Sequence, residues 1–308
     1  MWNDTIDFVD PLKPNSRTNL AWQSKLVLLL VLPFVAYEVV FAGRFYIQTL
    51  SHVAVWTLGL SALLGLIVLG LKAATPAGAA TGALLTASLM FSTYLTQPWH
   101  TALVPVLAVS LLAYFATKVG RAKKERLGTA ESRKGRAASQ VAANLGVAAI
   151  MLSLHVQMCL IDSHWFSPGG IAPIPIFAVG LAALAEAAAD TVSSEIGQVL
   201  SGRPRMITTL RTADPGTDGA ISIAGTLAGI AAGIIVALSG TLALGGDLEL
   251  FSISSAAAIF GLLFDSLLGA TLERRRWLNN DAVNFLSTAS ASAFALGILA
   301  ILPHGGVG

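Results

Sequence analysis

Apolar runs of about 20 residues, each long enough to cross the roughly 30 Å hydrocarbon core of a bilayer, recur from Lys25 to the C-terminus of this chain. Inside hydrocarbon every backbone polar group must be bonded within the structure, so only helices and closed barrels can span it, and Gly- and Ala-rich runs of this length are helices. Hydropathy and flanking turn residues place nine spans, at 26–43, 52–71, 76–95, 100–118, 139–160, 172–195, 219–240, 252–272 and 283–303. The expected fold is an all-α polytopic membrane protein of about nine transmembrane helices with the lipid bilayer as its partner. Charged residues make up only 12% of the 308, against roughly 25% in a soluble domain, so each acid inside an apolar run carries information.

Lys and Arg set the expected orientation. With the N-terminus inside, 18 of the 19 fall in cytoplasmic segments, and only Arg44 falls outside. An odd number of spans then puts the C-terminus outside. The chain divides into a cytoplasmic N-terminal segment (1–25), a four-helix membrane region (26–118), a basic cytoplasmic loop (119–138) and a five-helix membrane core (139–308). The first 24 residues are polar and do not read as a signal peptide. Topology accounts for the basic loops, with anionic headgroups as partners and no nucleic acid. The lone Cys159 excludes an intrachain disulfide, and the five His residues lack zinc spacing.

Polarity gathers at one end of the later spans. Span six, IPIFAVGLAALAEAAADTVSSEIG, runs inward and carries Glu186, Asp190 and Ser194 at i, i+4 and i+8, on one helix face. Glu195 falls off that face near the inner end. Span eight also runs inward and brings Asp265 and Ser266 to a similar depth. Outward-running spans open with Gln140 and Asn144, and with Asp281 and Asn284. Span seven is entered through ITTLRTADPGTDGAISIAGT, where Pro215-Gly216 predicts a tight turn and Thr217 or Asp218 a helix N-cap. Gly225, Gly229 and Gly233 form a double GxxxG repeat suited to close helix packing. Glu38 lies at mid-span without an obvious cationic partner.

The basic loop leading into GRAASQVAAN, then ADTVSSEIG, ITTLRTADPGTDGAISIAGT, FDSLLGAT and Asn284, in this order and spacing, resembles an integral-membrane family long catalogued as a domain of unknown function. That family includes transmembrane protein 19 and plant phytyl-phosphate kinase. The resemblance covers about residues 118–290, and this chain has Glu273 where the family often has Gln. It implies a prenyl-monophosphate kinase that moves a phosphoryl group from a nucleoside triphosphate to an isoprenoid phosphate.

The chemistry asks for what these motifs contain. Joining two polyanions calls for Mg²⁺, which takes one or two carboxylates plus phosphate oxygens and water; Asp190 and Asp265 are the expected ligands, with Glu195 a third acid. Thr208, Thr209, Gly216, Thr217, Asp218, Gly219 and Ser222 are the expected phosphate-binding residues, and Arg211 a group that neutralises developing charge. Gln140, Asn144, Ser194, Ser266 and Asn284 are expected to orient either substrate at the cytoplasmic face. Two other classes stay open: an ion- or proton-coupled transporter using the same acids, and a scaffold built on the small-residue faces.

Overall fold

The computed structural model describes residues 20–94, 96–162, 173–200 and 202–301. It is helical almost throughout: α1 (Ala21–Thr49), α2 (Ser51–Gly70), α3 (Pro76–Ser92), α4 (Leu103–Lys118), α5 (Arg121–Leu127), α6 (Ala138–Met151), α7 (Leu154–Asp162), α8 (Pro173–Leu200), α9 (Ile223–Ala243), α10 (Leu248–Leu268) and α11 (Asn280–Ile301). A two-stranded hairpin, β1 (Arg205–Met206) with β2 (Ala220–Ile221), lies between α8 and α9. Most of the N-terminal segment, including Lys13 and Arg17, and residues 302–308 lie outside the described residues.

Among the described residues six helices are long and apolar enough to cross a membrane, and up to eight spans result if each of two bent pairs counts as one. The bent pairs are α4 with α5, at 67°, and α6 with α7, at 43°. The remaining expected span is α3, whose 17 residues fall short of the roughly 20 of a full crossing. The chain is therefore an all-α, multi-pass membrane protein. Large apolar side chains such as Leu29, Val55, Leu66, Ile223 and Leu242 stand more than 60% exposed on α1, α2 and α9, as expected for surfaces that face lipid tails rather than water.

Helix α8 forms the centre, with 89% of its spanning stretch buried, and it packs against α4, α6, α9, α10 and α11. Its sequence explains this position. AVGLAALAEAAAD offers mainly small side chains, so neighbours can approach on every side. The closest neighbour is α9, whose glycines make the contact: a Cβ on Gly229 would lie 2.6 Å from the Ala189 carbonyl and 2.7 Å from Ser193 Cβ, and one on Gly225 2.7 Å from the Ser193 carbonyl. Without a hydrophobic driving force between helices in lipid, such close packing supplies much of their attraction.

Caps and cross-links place the loops at one end of the bundle together. Thr75 Oγ1 accepts from the Gly78 amide at 3.1 Å, with Pro76 opening α3. Asn279 Oδ1 caps α11 through the Ala282 amide, and its Nδ2 donates to the Leu20 carbonyl and Ser24 Oγ at the start of α1. The loop before α6 is stapled to the α2–α3 turn, where the Arg136 amide donates to the Ala73 carbonyl and the Thr75 amide to the Arg136 carbonyl, both at 3.0 Å. Gly135 permits this: its φ is +81°, and any Cβ would run into the Ala73–Ala74 backbone. Elsewhere, Glu38 is not solitary; its Oε1 lies 2.5 Å from Nδ1 of His155, a pairing between α1 and α7 that neither helix predicts alone.

Replacing Gly229 by Val should loosen the α8–α9 contact and lower the melting temperature of the solubilised protein, an overpacking cost of about 1–3 kcal/mol. Gly233→Ala, whose added carbon meets the Ala185 carbonyl and Ala189 Cβ at 3.4 Å, should unfold close to the wild type in the same thermal denaturation series.

Candidate functional site

Where α8, α10 and α11 meet the α8–α9 loop, a polar cavity of about 200 Å³ opens. Helix α8 lines it with Asp190, Ser193, Ser194, Gly197 and Gln198. Asp265 and Ser266 come from α10, and Asn280 and Asn284 from α11. At its C-terminal end α10 widens into a π turn, Gly269–Glu273, that adds Gly269 and Glu273. The loop contributes Pro204 and the run 215–222.

Local chemistry holds that loop in place. The hairpin pairs Arg205 with Ile221 and Met206 with Ala220, and the Ile207 amide donates to the Gly219 carbonyl at 3.1 Å. The Arg274 guanidinium reaches Met206 Sδ at 3.5 Å, tying the hairpin to the end of α10. Gly219 has φ +72°, and a Cβ there would collide with the Ala270 backbone, so only glycine lets the loop sit on the π turn. Ser222, rather than Thr217 or Asp218, caps α9: its Oγ accepts from the Gly225 amide at 3.0 Å. The cap falls four residues beyond Asp218 because the hairpin uses 220–221 first. As Ser222 also lines the cavity, the positive end of α9 adjoins it.

Acids dominate this cavity. Asp190, Asp218, Asp265 and Glu273 line it, and among the described residues no Lys or Arg does. Asp190 and Asp265 line the same cavity, and Ser194 Oγ donates to Asp190 Oδ1 at 3.4 Å. One turn deeper, Glu186 is 1% exposed. Asp265 Oδ2 and Glu186 Oε1 are buried with no hydrogen-bond partner among the described residues. Orphaned buried acid oxygens cost several kcal/mol unless something binds them. The arrangement therefore suits a cation or a ligand bearing donors. Among the described residues no three His, Cys, Asp or Glu converge closely enough to cage a metal. Two carboxylates beside open space fit Mg²⁺ instead, which completes its shell with water and ligand oxygens.

Of the residues expected from the sequence, Asp190, Ser194, Gly216, Thr217, Asp218, Gly219, Ser222, Asp265, Ser266 and Asn284 line this one cavity. Asn144 stands just behind it, accepting from Asn284 Nδ2 at 3.0 Å. Gln140 is used otherwise, its Oε1 accepting the Ala137 amide at 2.7 Å to cap α6. Thr208, Thr209 and Arg211 lie in the exposed hairpin tip and do not line the cavity. Glu195 is engaged elsewhere. Its Oε2 pairs with Lys124 Nζ at 2.5 Å and its Oε1 accepts from Thr117 Oγ1 at 3.0 Å. Lys124, 1% exposed, spends its other protons on the Ala116 and Thr117 carbonyls that close α4.

Three residues were not singled out by their sequence context. Lys124 and Arg136 read as topology markers in a basic loop. The structure buries the first and extends the second to Thr191 Oγ1, at 3.4 Å, beside Asp190. Asn280 had a signal, since it precedes Asp281 at the start of an apolar run.

Lys124→Met should leave Glu195 buried and unpaired, destabilising the fold by about 3–5 kcal/mol. Adding Glu195→Gln should restore part of the lost thermal stability, as read by melting of the solubilised double variant.

The family described as integral membrane protein DUF92 matches residues 59–292. An uncharacterized membrane protein of Methanocaldococcus jannaschii is 36% identical, over 60% of this chain and 71% of its own length. One from Synechocystis is 32% identical, over 61% and 72% respectively. The chloroplastic protein VTE6 of Arabidopsis thaliana is 31% identical, over 62% of this chain and 56% of its own. No solved structure matches.

Proposed function

Because the chain belongs to the integral membrane DUF92 family, we propose that it is a membrane prenyl-phosphate kinase, which transfers the terminal phosphoryl group of a nucleoside triphosphate to an isoprenoid monophosphate. One observation carries the reading: Asp190 and Asp265, from two different helices, face a glycine-containing loop across a single polar cavity at the end of the bundle. The plant phytyl-phosphate kinase of the resemblance drawn from the motifs supports the lipid-phosphate acceptor.

Phosphoryl transfer needs positioning and charge neutralisation rather than a covalent protein intermediate. The acceptor's phosphate oxygen attacks the terminal phosphorus, the bond to the bridging oxygen breaks, and the nucleoside diphosphate leaves with that electron pair. A prenyl diphosphate results. Asp190 and Asp265 would hold Mg²⁺, whose charge offsets that of the phosphates. The Gly216–Gly219 backbone and the capped start of α9 would receive the triphosphate, since helix N-termini favour anions. Ser194, Ser266 and Asn284, which line the same cavity, would orient the reacting groups by hydrogen bonds.

The proposed topology has nine spans, counting α3 and each bent pair, with the N-terminus and this cavity on the cytoplasmic side. Reporter fusions after Arg126 and Gly245 should read inside and outside respectively. A cytoplasmic signal at Gly245 would reverse the α9–α10 pair and remove the cavity from the nucleotide's compartment.

Solubilised protein with Mg²⁺, a nucleotide panel and prenyl monophosphates should form the diphosphate without any ion gradient, and chelation should stop it. Asp190→Asn and Asp265→Asn should each lower turnover by about 100-fold or more while the protein still inserts and melts cooperatively. Near-normal turnover in either variant would make that acid structural. Solute flux in sealed vesicles with no nucleotide consumed would replace the kinase with a transporter.

A further inference from the structure

A second cavity lies beside the first, between the N-terminal helices α2–α4 and α6. It is walled by α2, α3, α4 and α6 and has a volume of about 130 Å³. Along α4 its lining runs from Val106 to Lys118, a depth of about 18 Å at 1.5 Å per residue. The deep walls are apolar or small, including Gly65, Gly82 and Val106. At the mouth the character inverts: Lys72, Lys118, Arg121 and Arg136 gather there, with Glu131 the one acid among the described residues. A deep apolar slot with a cationic rim complements an amphiphile with one long hydrocarbon tail and an anionic head.

The two cavities meet at two hydrogen bonds. Asn144 lines the apolar slot and Asn284 the polar cavity, and they bond at 3.0 Å. Arg136 stands at the mouth of the slot and reaches Thr191 at 3.4 Å, next to Asp190. The staple between Gly135–Arg136 and the α2–α3 turn holds that guanidinium in place. An anionic head on Arg136 would thus sit one side chain away from the acid cavity.

From this geometry we infer that the α2–α3–α4–α6 slot is the binding site of the lipid acceptor, taking the tail of a long-chain isoprenoid monophosphate among α3, α4 and α6 and its phosphate on Lys118, Arg121 and Arg136. The inference rests on the kinase reading for the identity of the lipid, but binding there needs no nucleotide. The slot's depth makes α2, α3, α4 and α6 the determinant of chain length, while the acid cavity handles the nucleotide.

The test is photo-cross-linking of the full chain in lipid nanodiscs, without nucleotide, using geranylgeranyl monophosphate that carries a diazirine at the tail end. Labelled peptides should map to α3 and α4, around Gly82 and Val106. Unlabelled geranylgeranyl monophosphate should compete, whereas inorganic phosphate at equal concentration should not, and geranylgeraniol should compete weakly. A Cβ on Gly82 has only Val141 Cγ1 nearby, at 3.7 Å, so Gly82→Leu should fold and weaken labelling by about tenfold by filling the slot. Arg136→Gln should weaken it about as much through the head. Gly297→Leu, with open space around it on α11, should label as the wild type does. Labelling confined to α9–α11, no saturable labelling, unchanged labelling in Gly82→Leu and Arg136→Gln, or equal competition by inorganic phosphate would each overturn the inference. Diphosphate formation with the label outside the slot would sink the slot and spare the kinase. Saturable slot labelling without nucleotide-dependent product would do the reverse.

Discussion

Burial of carboxylates in the middle of a helix bundle is the constraint on which this structure turns. Helix α8 can occupy the centre only because its side chains are small, and the same smallness leaves Glu186 and Glu195 buried and Asp190 half-buried beside the cavity. An acid in that position must find a cation, a set of donors or a ligand. Glu195 finds Lys124, which also closes the carbonyl end of α4. Among the described residues the acids of the polar cavity find no lining Lys or Arg, and an oxygen of Asp265 and one of Glu186 have no hydrogen-bond partner. The contrast between two acids five residues apart on one helix separates a structural ion pair from a place for a ligand.

The cavity is composite, and that depends on backbone approach more than on side chains. Gly219 rests on the π turn after α10, Gly135 on the α2–α3 turn, and Gly225 and Gly229 on α8. Each contact brings a loop or helix from a distant part of the sequence to the same end of the bundle. The π turn matters because it shifts the chain after Asp265, so that Gly269 and Glu273 both face the loop that precedes α9. Polar and apolar cavities then lie back to back, divided by Asn144 and Asn284, in a molecule whose outer surface is lipid-facing.

Much of this was legible in the chain itself. Long apolar runs made it a multi-pass helical protein, and scarce acids within them pointed to Asp190 and Asp265, because a charge in such a run stands out locally. The turn signal at Pro215-Gly216 and the amides at Asn144 and Asn284 were local in the same sense. What the tertiary structure decided was pairing and depth. Nothing along the sequence says that Lys124 leaves its basic loop to meet Glu195, that His155 meets Glu38, or that Glu273 turns into the cavity while Thr208, Thr209 and Arg211 stay at an exposed tip. The bends between α4 and α5 and between α6 and α7, and the shift of the α9 cap to Ser222, were also invisible. The physical reason is common to all: hydropathy and turn chemistry are properties of short segments, whereas which groups meet depends on how each helix is rotated and how closely its neighbours approach, and those are set by contacts between residues far apart in the chain.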